Sequence, residues 1–153
     1  MDMIWRPTRG STILDTTTSR TNPRALAHQM GVRVRTAVTP PGWWGAYDHR
    51  HRLITLRPGL APIQLECTLM HELGHAHYGH VGVTGKQEAL ANRWAAHRLI
   101  DFEMVLEAAA AEQASVAVAA SLGVLPSVLQ TYLQTLTKAQ LQRVRTAALR
   151  RVA

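Results

Sequence analysis

One run of five residues, His71-Glu72-Leu73-Gly74-His75, constrains this chain more than any other feature of its sequence. It lies in a segment whose apolar residues recur at helical spacing, and residues four apart share one face of a helix. His71 and His75 can therefore both direct an imidazole at one metal ion. Glu72 is offset from that face by one residue, close enough to reach a metal-bound water. Two imidazoles, a water and a neighbouring carboxylate are the components of metal-assisted hydrolysis.

The site needs a third ligand, because a catalytic zinc ion usually has three protein ligands, and two histidines with one glutamate form a recurring set. The sequence predicts one helix from Leu65 to Tyr78 and, after a short glycine-rich loop, a second from Lys86 to Phe102. Helices joined by so short a loop pack antiparallel, so the second begins beside the end of the first. Glu88 is therefore the predicted third ligand. The alternative is a solvated carboxylate favoured by the helix dipole.

Three polar residues near this site are candidates to support it. Asn92 follows Glu88 by four residues on the same helix face and can hydrogen-bond a ligand. Tyr78 lies near the face of the two histidines and His80 lies in the loop beyond. Either can support a ligand or a transition-state oxyanion, with ordinary packing as the alternative. His97 lies on the opposite face of its helix from Glu88, which excludes it as a ligand.

The segment from Leu65 to Ile100 resembles a known family. Here HELGH is followed by QEALANRWAAHRLI, and the ImmA/IrrE family of minimal zinc metallopeptidases has HExxH followed by an E-x-x-A-[ND]-x-[FW]-A-A run. Upstream, Gln29-Met30-Gly31-Val32 and Tyr47-Asp48 resemble the end of the family's short helix and its hairpin. The resemblance thus extends back to about Pro23.

This resemblance implies a cytoplasmic zinc endopeptidase that cleaves a regulatory protein, such as a transcriptional repressor of a phage or mobile element. By position, His71, His75 and Glu88 match the family's metal ligands for Zn2+, and Glu72 matches its catalytic glutamate. Asn92 stands where many relatives have aspartate. The expected fold is α+β and zincin-like, with a small three-stranded antiparallel sheet, the HExxH helix and a helical C-terminal cap.

The segment before the first metal helix predicts that sheet. Asn22-Pro23 is a good helix start, and the helix is expected to end at Met30 before a glycine. Residues 32–38 alternate between apolar and polar, which indicates a strand. Residues 43–47 and 53–56 indicate a hairpin around a polar turn. An edge of such a sheet can hold an extended peptide substrate as an added strand.

Three segments divide the chain. Residues 1–22 have no clear periodicity and are expected to form an N-terminal lead. Residues 23–102 are expected to form the metallopeptidase core, and residues 103–153 a helical C-terminal segment. Within that last segment the predicted helices are Glu103 to Leu122, Ser127 to Leu136, and Lys138 to Arg151.

The turn from Gly123 to Pro126 has the spacing of a helix-turn-helix, and two interpretations remain open. In one, the second helix turns a polar face to a DNA groove with Ser127, Gln130, Thr131 and Gln134. In the other, the unit is a structural corner that covers the metal helices. The second helix has no arginine or lysine, whereas base readout often depends on arginine, so the structural corner is favoured. A DNA-binding regulator with a structural or vestigial metal site is the alternative function.

The composition is consistent with a cytoplasmic protein. A single cysteine, Cys67, cannot form an internal disulfide, and it is interpreted as a small core residue. Residues 1–10 lack an apolar run, so no secretory signal is expected. Residues 113–137 carry no charge but are broken by Gly123 and Pro126, so no membrane span is expected.

The formal net charge is +7, which permits a nucleic acid or an acidic protein as partner. Five of the basic residues lie in the last sixteen positions: Lys138, Arg143, Arg145, Arg150 and Arg151. A solvated helix face is the default interpretation of such a run. The favoured partner is therefore a protein substrate, and DNA is not favoured.

Overall fold

A computed structural model of the protein describes residues 20–112 and 114–150. Most of the predicted N-terminal lead, residues 1–19, lies outside the described residues, as does Arg151 of the basic C-terminal run. The described residues form three strands and seven helices: α1 (Pro23–Gln29), β1 (Arg33–Thr36), β2 (Gly45–Asp48), β3 (Leu53–Leu56), α2 (Pro62–Tyr78), α3 (Gly85–Leu99), α4 (Phe102–Ala111), α5 (Ser115–Ser121), α6 (Pro126–Thr135) and α7 (Lys138–Leu149).

The predicted α+β class with a small three-stranded sheet is confirmed, but the sheet is mixed. The strand order is β1-β3-β2; β2 pairs with β3 antiparallel, whereas β1 pairs with β3 in parallel. The prediction of a wholly antiparallel sheet is therefore wrong for β1. The physical reason is burial: β3 carries the fully buried Ile54 and Leu56, so it takes the centre, while β1 carries the exposed Arg33 and Arg35 and suits an edge.

The core lies between this sheet and the long helix α2. The side chains buried there include Ile54 and Leu56 from β3 and Leu69, Met70 and Leu73 from α2, each with no exposed surface. The apolar residues of α2, at positions 69, 70 and 73, thus form one buried face of the helix. Polar residues of α2 can occupy another face. The sheet and α2 together form the platform on which the candidate site is built.

Helix α2 approaches α3 most closely at Gly74. A Cβ atom added there would lie 3.0 Å from the Cα atom and 3.0 Å from the carbonyl oxygen of Ala91, both of them backbone atoms. Ala91 is fully buried and Ala95 nearly so. Small residues on both helices therefore set the spacing between the two helices.

We expect Gly74→Leu to lower the free energy of unfolding by about 3 kcal/mol, because the new side chain must push α3 away. The same displacement moves Glu88, so metal affinity should fall as well. Gly85→Leu is the matched control, since a Cβ there meets nothing within 4 Å. Urea denaturation of both variants measures the difference, and equal stability of the two would show that the helices do not depend on this contact.

The C-terminal half departs from the prediction at one place. The expected single helix over residues 103–122 is two helices, because the chain leaves helical conformation at Glu112 (φ −114°, ψ 143°). Alanine is a strong helix former, so local propensity does not cause the break. The break at Glu112 allows α5 to change direction and to bury Val118, Ala119 and Leu122 in the core. Packing therefore outweighs helix propensity at this position.

Among the described residues, no single helix is long and apolar enough to span a membrane. Helices α5 and α6 reach that length and apolarity only together, and a bend of 99° separates them.

Candidate metal centre

The three predicted ligands meet where α2 and α3 face each other. The Nε2 atom of His71 lies 3.2 Å from one carboxylate oxygen of Glu88, and the Nε2 atom of His75 lies 3.0 Å from the other. The two Nε2 atoms are 3.1 Å apart. Within the described ranges, these three residues are the group of histidine, cysteine and acidic side chains that could hold a metal ion.

The donor set fits a tetrahedral zinc ion. With bonds of about 2.0–2.1 Å, neighbouring ligand atoms of such an ion lie about 3.3 Å apart. The three separations between His71, His75 and Glu88 are close to that value. Two imidazole nitrogens and a carboxylate oxygen face one point, and each of these atoms carries a lone pair. A cation at that point can be bound by all three lone pairs.

Local structure fixes each ligand. The four-residue spacing puts the two histidines on one face of α2, and α2 ends at Gly79 with a left-handed backbone (φ 63°), which turns the chain back. Thr84 then caps α3: its hydroxyl accepts from the backbone N–H of Gln87, whose side chain accepts from the N–H of Thr84. This capping box holds the first turn of α3, in which Glu88 lies.

Burial favours the ligand form of both histidines. Loss of hydration lowers the pKa of His71 and of His75, and the carboxylate of Glu88 opposes this only in part. Their imidazoles are therefore neutral near pH 7. Neutral imidazole is the form that binds a metal ion.

Glu72 lies beside this group with little solvent exposure. Its side chain is buried (6% exposed), and burial, with a smaller contribution from the charge of Glu88, raises its pKa to about 8. The backbone N–H of Tyr47 in β2 lies close enough to the carboxylate to oppose that rise in pKa. A divalent cation held by the three ligands would oppose it further. A carboxyl group with a raised pKa next to a metal position is suited to carrying protons.

Strand β2 can approach Glu72 because it begins with a glycine. A Cβ atom on Gly45 would lie 2.7 Å from the methyl group of Thr68 and 3.2 Å from a carboxylate oxygen of Glu72. Only glycine fits without a shift of the neighbours. The roles of Gly45 and of the Tyr47 amide were not predicted from the sequence, in which a glycine inside a predicted strand was the available signal.

Two of the three support candidates contact the ligands. The Nδ1 atom of His80 lies 2.9 Å from the Nδ1 atom of His75, and the side chain of Asn92 lies close enough to the imidazole of His71 to raise its pKa. The ring of Tyr78 stacks on His80 instead, with ring centroids 5.3 Å apart, and does not line the cleft around the ligands. His97 packs against the ring of Tyr132, away from this group.

A cleft of about 490 Å³ opens over the group. Its floor is α2, and one wall is β2 with the preceding Trp43 and Trp44, which are 44% and 38% exposed. The corner between α5 and α6 also lines the cleft, through Leu125, Ser127 and Val128. Neither the position of the two tryptophans beside the cleft nor the contribution of the corner was predicted from the sequence.

The corner also bears on the two interpretations of the helix-turn-helix spacing. Helix α6 packs against α3, as expected for a structural corner, and Ser127, one of the residues expected to face DNA, lines the cleft. Cys67 is buried here as predicted, and the backbone N–H of Leu125 lies close enough to its thiol to lower the pKa. Burial raises the pKa of the Cys67 thiol, which disfavours the thiolate.

Comparison with known families gives one match. The family model of peptidase M78, described as the IrrE N-terminal-like domain, matches residues 27–133. No curated protein and no solved structure matches the chain. The matched span includes the sheet, both metal helices and the corner between α5 and α6, and it ends before α7.

Proposed function

The chain belongs to peptidase family M78, the IrrE N-terminal-like family, and we propose from this premise that it is a zinc-dependent endopeptidase that cleaves one regulatory protein. Membership supports a metallopeptidase role. The observation that carries the finer proposal is the convergence of His71, His75 and Glu88 within one cleft, with Glu72 beside them. A purely structural site has no use for a carboxylate at that position.

In the proposed mechanism His71, His75 and Glu88 hold the ion. Zinc, when bound, polarises the substrate carbonyl and makes a water molecule more acidic. Glu72 accepts a proton from that water and later donates it to the leaving amine, so the same carboxyl group acts first as base and then as acid. The raised pKa of Glu72 suits both steps.

His80 and Asn92 are proposed to orient the ligands. For His75 to offer a lone pair at Nε2, its proton must be on Nδ1, and that N–H can donate to the Nδ1 atom of His80. Asn92 lies close enough to the imidazole of His71 to raise its pKa, and it is proposed to accept a hydrogen bond from that ring. Such contacts fix the ring and the tautomer of a ligating histidine. The stacked ring of Tyr78 in turn restricts His80.

The substrate is proposed to bind as a strand along β2. Residues Gly45, Ala46 and Tyr47 line the cleft, and no strand of the described part of the chain pairs with the outer edge of β2. An extended peptide can therefore add to the sheet at that edge. This places its backbone alongside Glu72 and the metal ligands.

A transcriptional repressor is the proposed substrate, in the cytoplasm. The cleft is open, and its volume of about 490 Å³ is small for holding a long peptide by side-chain pockets alone. Selectivity is then expected to come from docking of a folded partner, helped by the net charge of +7 and the basic helix α7.

We expect the repressor encoded beside the gene to be cleaved when the two proteins are co-expressed, and to stay intact with the Glu72→Gln variant. Immunoblotting of the repressor measures this. Rapid hydrolysis of casein with an intact repressor would contradict the proposal and indicate a general peptidase.

DNA binding is the second candidate, because α5 and α6 meet at 99°, an angle typical of a helix-turn-helix. Helix α6 has no lysine or arginine, so we expect no sequence-specific DNA binding that depends on Gln130 and Thr131. Gel-shift assays of the double alanine variant test this. Tight, specific binding that this variant abolishes would favour the regulator over the peptidase.

A further inference from the structure

The cleft has an apolar end, and we propose that Thr68, Leu125 and Val128 form a pocket there for one aliphatic side chain of the substrate. The side chain belongs to the residue that directly follows the scissile bond. This inference rests on the proposed peptidase function and adds which residue of the substrate is selected and by what chemistry.

The distribution of charge within the cleft defines this pocket. Among the described residues that line the cleft, the acidic and histidine side chains all lie at the metal position or next to it: His71, Glu72, His75, His80 and Glu88. One turn earlier on α2 the lining changes to Cys67 and Thr68, and the corner residues Leu125 and Val128 also line the cleft. Cys67 and Leu125 line the same cleft, and the backbone N–H of Leu125 lies close enough to the Cys67 thiol to lower its pKa, so the corner lies beside this turn of α2.

The wall formed by the corner is held firmly to α2. The guanidinium group of Arg20 donates to the carbonyl oxygens of Leu122 (3.1 Å) and Gly123 (2.9 Å), at the turn between α5 and α6. The same group pairs with Glu66 on α2 at 2.9 Å. Gly123 has φ +64°, which side chains of L-residues rarely adopt, and a Cβ there would lie 2.6 Å from the guanidinium of Arg20, so a substitution at this turn would strain the backbone and displace Arg20. The pocket is therefore formed before a ligand arrives.

The direction of the substrate follows from β2. Its first residue, Gly45, lies against Thr68 and Glu72, and His49, just beyond its last residue, lies 3.4 Å from the Cβ position of Gly79 at the end of α2. Strand β2 therefore runs in the same direction as α2. An antiparallel peptide enters at the Gly79 end and leaves at the Thr68 end. The metal ligands lie between, so the residue after the scissile bond reaches Thr68.

The chemistry of this pocket selects aliphatic side chains. A charged side chain would lose part of its hydration there without gaining a partner of opposite charge, because Thr68 and Ser127 offer only hydroxyl groups at that end, whereas burial of an aliphatic group is favourable. Each methylene group that is buried strengthens binding by about fourfold. Leucine, isoleucine, valine and methionine are therefore the residues expected after the cut, and aspartate, glutamate and lysine are excluded.

Small inhibitors test the pocket without requiring a known substrate. Three hydroxamates that bind zinc are compared, identical except that the carbon beside the metal-binding group carries an isobutyl group, a hydrogen or a carboxymethyl group. Calorimetry with the zinc-loaded full chain should show the isobutyl compound binding at least about tenfold more tightly than the hydrogen compound. The carboxymethyl compound should bind more weakly than either.

Two variants locate the preference. Val128→Phe fills the pocket, so the isobutyl advantage should fall below about twofold while the hydrogen compound still binds. Leu125→Ala removes part of the wall and should reduce the same advantage by about threefold or more. Val116→Phe is the control, because Val116 lies on α5 outside the cleft and is 64% exposed. Circular dichroism shows whether each variant is folded. If Val128→Phe does not fold, the result for Leu125→Ala decides whether these residues form the pocket.

The outcomes separate this inference from the function on which it rests. Equal binding of the isobutyl and hydrogen compounds to the wild-type chain would overturn the pocket and leave the zinc peptidase standing. If folded Val128→Phe and Leu125→Ala still bind the isobutyl compound as much more tightly than the hydrogen compound as the wild-type chain does, Leu125 and Val128 do not form the pocket. Failure of all three compounds to bind the zinc-loaded chain would contradict the metal centre and the pocket together.

Discussion

Cleavage by the Glu72→Gln variant is expected to be slower than wild-type cleavage by about two to four orders of magnitude, with zinc still bound. Glutamine has nearly the shape of glutamate, so it fits the same buried position, where the wild-type side chain is 6% exposed. Its amide cannot accept a proton from water or pass one to the leaving amine. Initial rates of repressor cleavage, with zinc content measured on the same samples, give the two readouts.

The control for this prediction is Glu103→Gln, which makes the same chemical change on α4, where Glu103 is 68% exposed and pairs with Arg143. That variant should cleave at the wild-type rate. If Glu72→Gln loses its zinc, Glu72 acts as a ligand and the assigned role is wrong. If it keeps both zinc and activity, another group is the base.

Zinc is expected to raise the free energy of unfolding of the metal-free chain by about 4 kcal/mol when its free concentration is a thousand times its Kd. The reason is that the folded chain brings His71, His75 and Glu88 within 4.8 Å of one another, whereas the unfolded chain does not. Thermal unfolding after chelation and after zinc addition measures the effect. His71→Ala and Glu88→Ala should lose nearly all of it.

His97→Ala is the matched control for these ligand variants. It removes an imidazole from α3 whose ring packs against Tyr132, away from the three ligands. Its response to zinc should equal that of the wild-type chain. Equal stabilisation of Glu88→Ala by zinc would show that the ion is held elsewhere.

The two helices and the meeting of His71, His75 and Glu88 between them could be predicted from the sequence because their geometry is local. A spacing of four residues puts His71 and His75 on one helix face, and a short loop with glycines forces the next helix to return antiparallel. Small residues at Gly74 and Ala91 then set the distance between the helices. Each of these steps depends on residues close in sequence, so Glu88 was placed without knowledge of the rest of the fold.

The remaining features depend on contacts between distant segments. Whether β1 joins the hairpin beside β2 or beside β3 is decided by which strand is most deeply buried, and alternation within one strand does not reveal this. The break at Glu112 occurs in an alanine-rich segment that favours a helix, so packing of α5 determines it. The corner reaches the cleft through Arg20, whose partners are 102 and 103 residues away.

The most direct test of the metal centre is the number of zinc ions bound per chain, measured by native mass spectrometry. The wild-type chain and the Glu72→Gln variant should each carry one zinc ion, and His71→Ala and His75→Ala should carry none. This result would establish the two histidines as ligands and the glutamate between them as a separate catalytic group. Unchanged zinc content in both histidine variants would contradict the metal centre and the peptidase mechanism built on it.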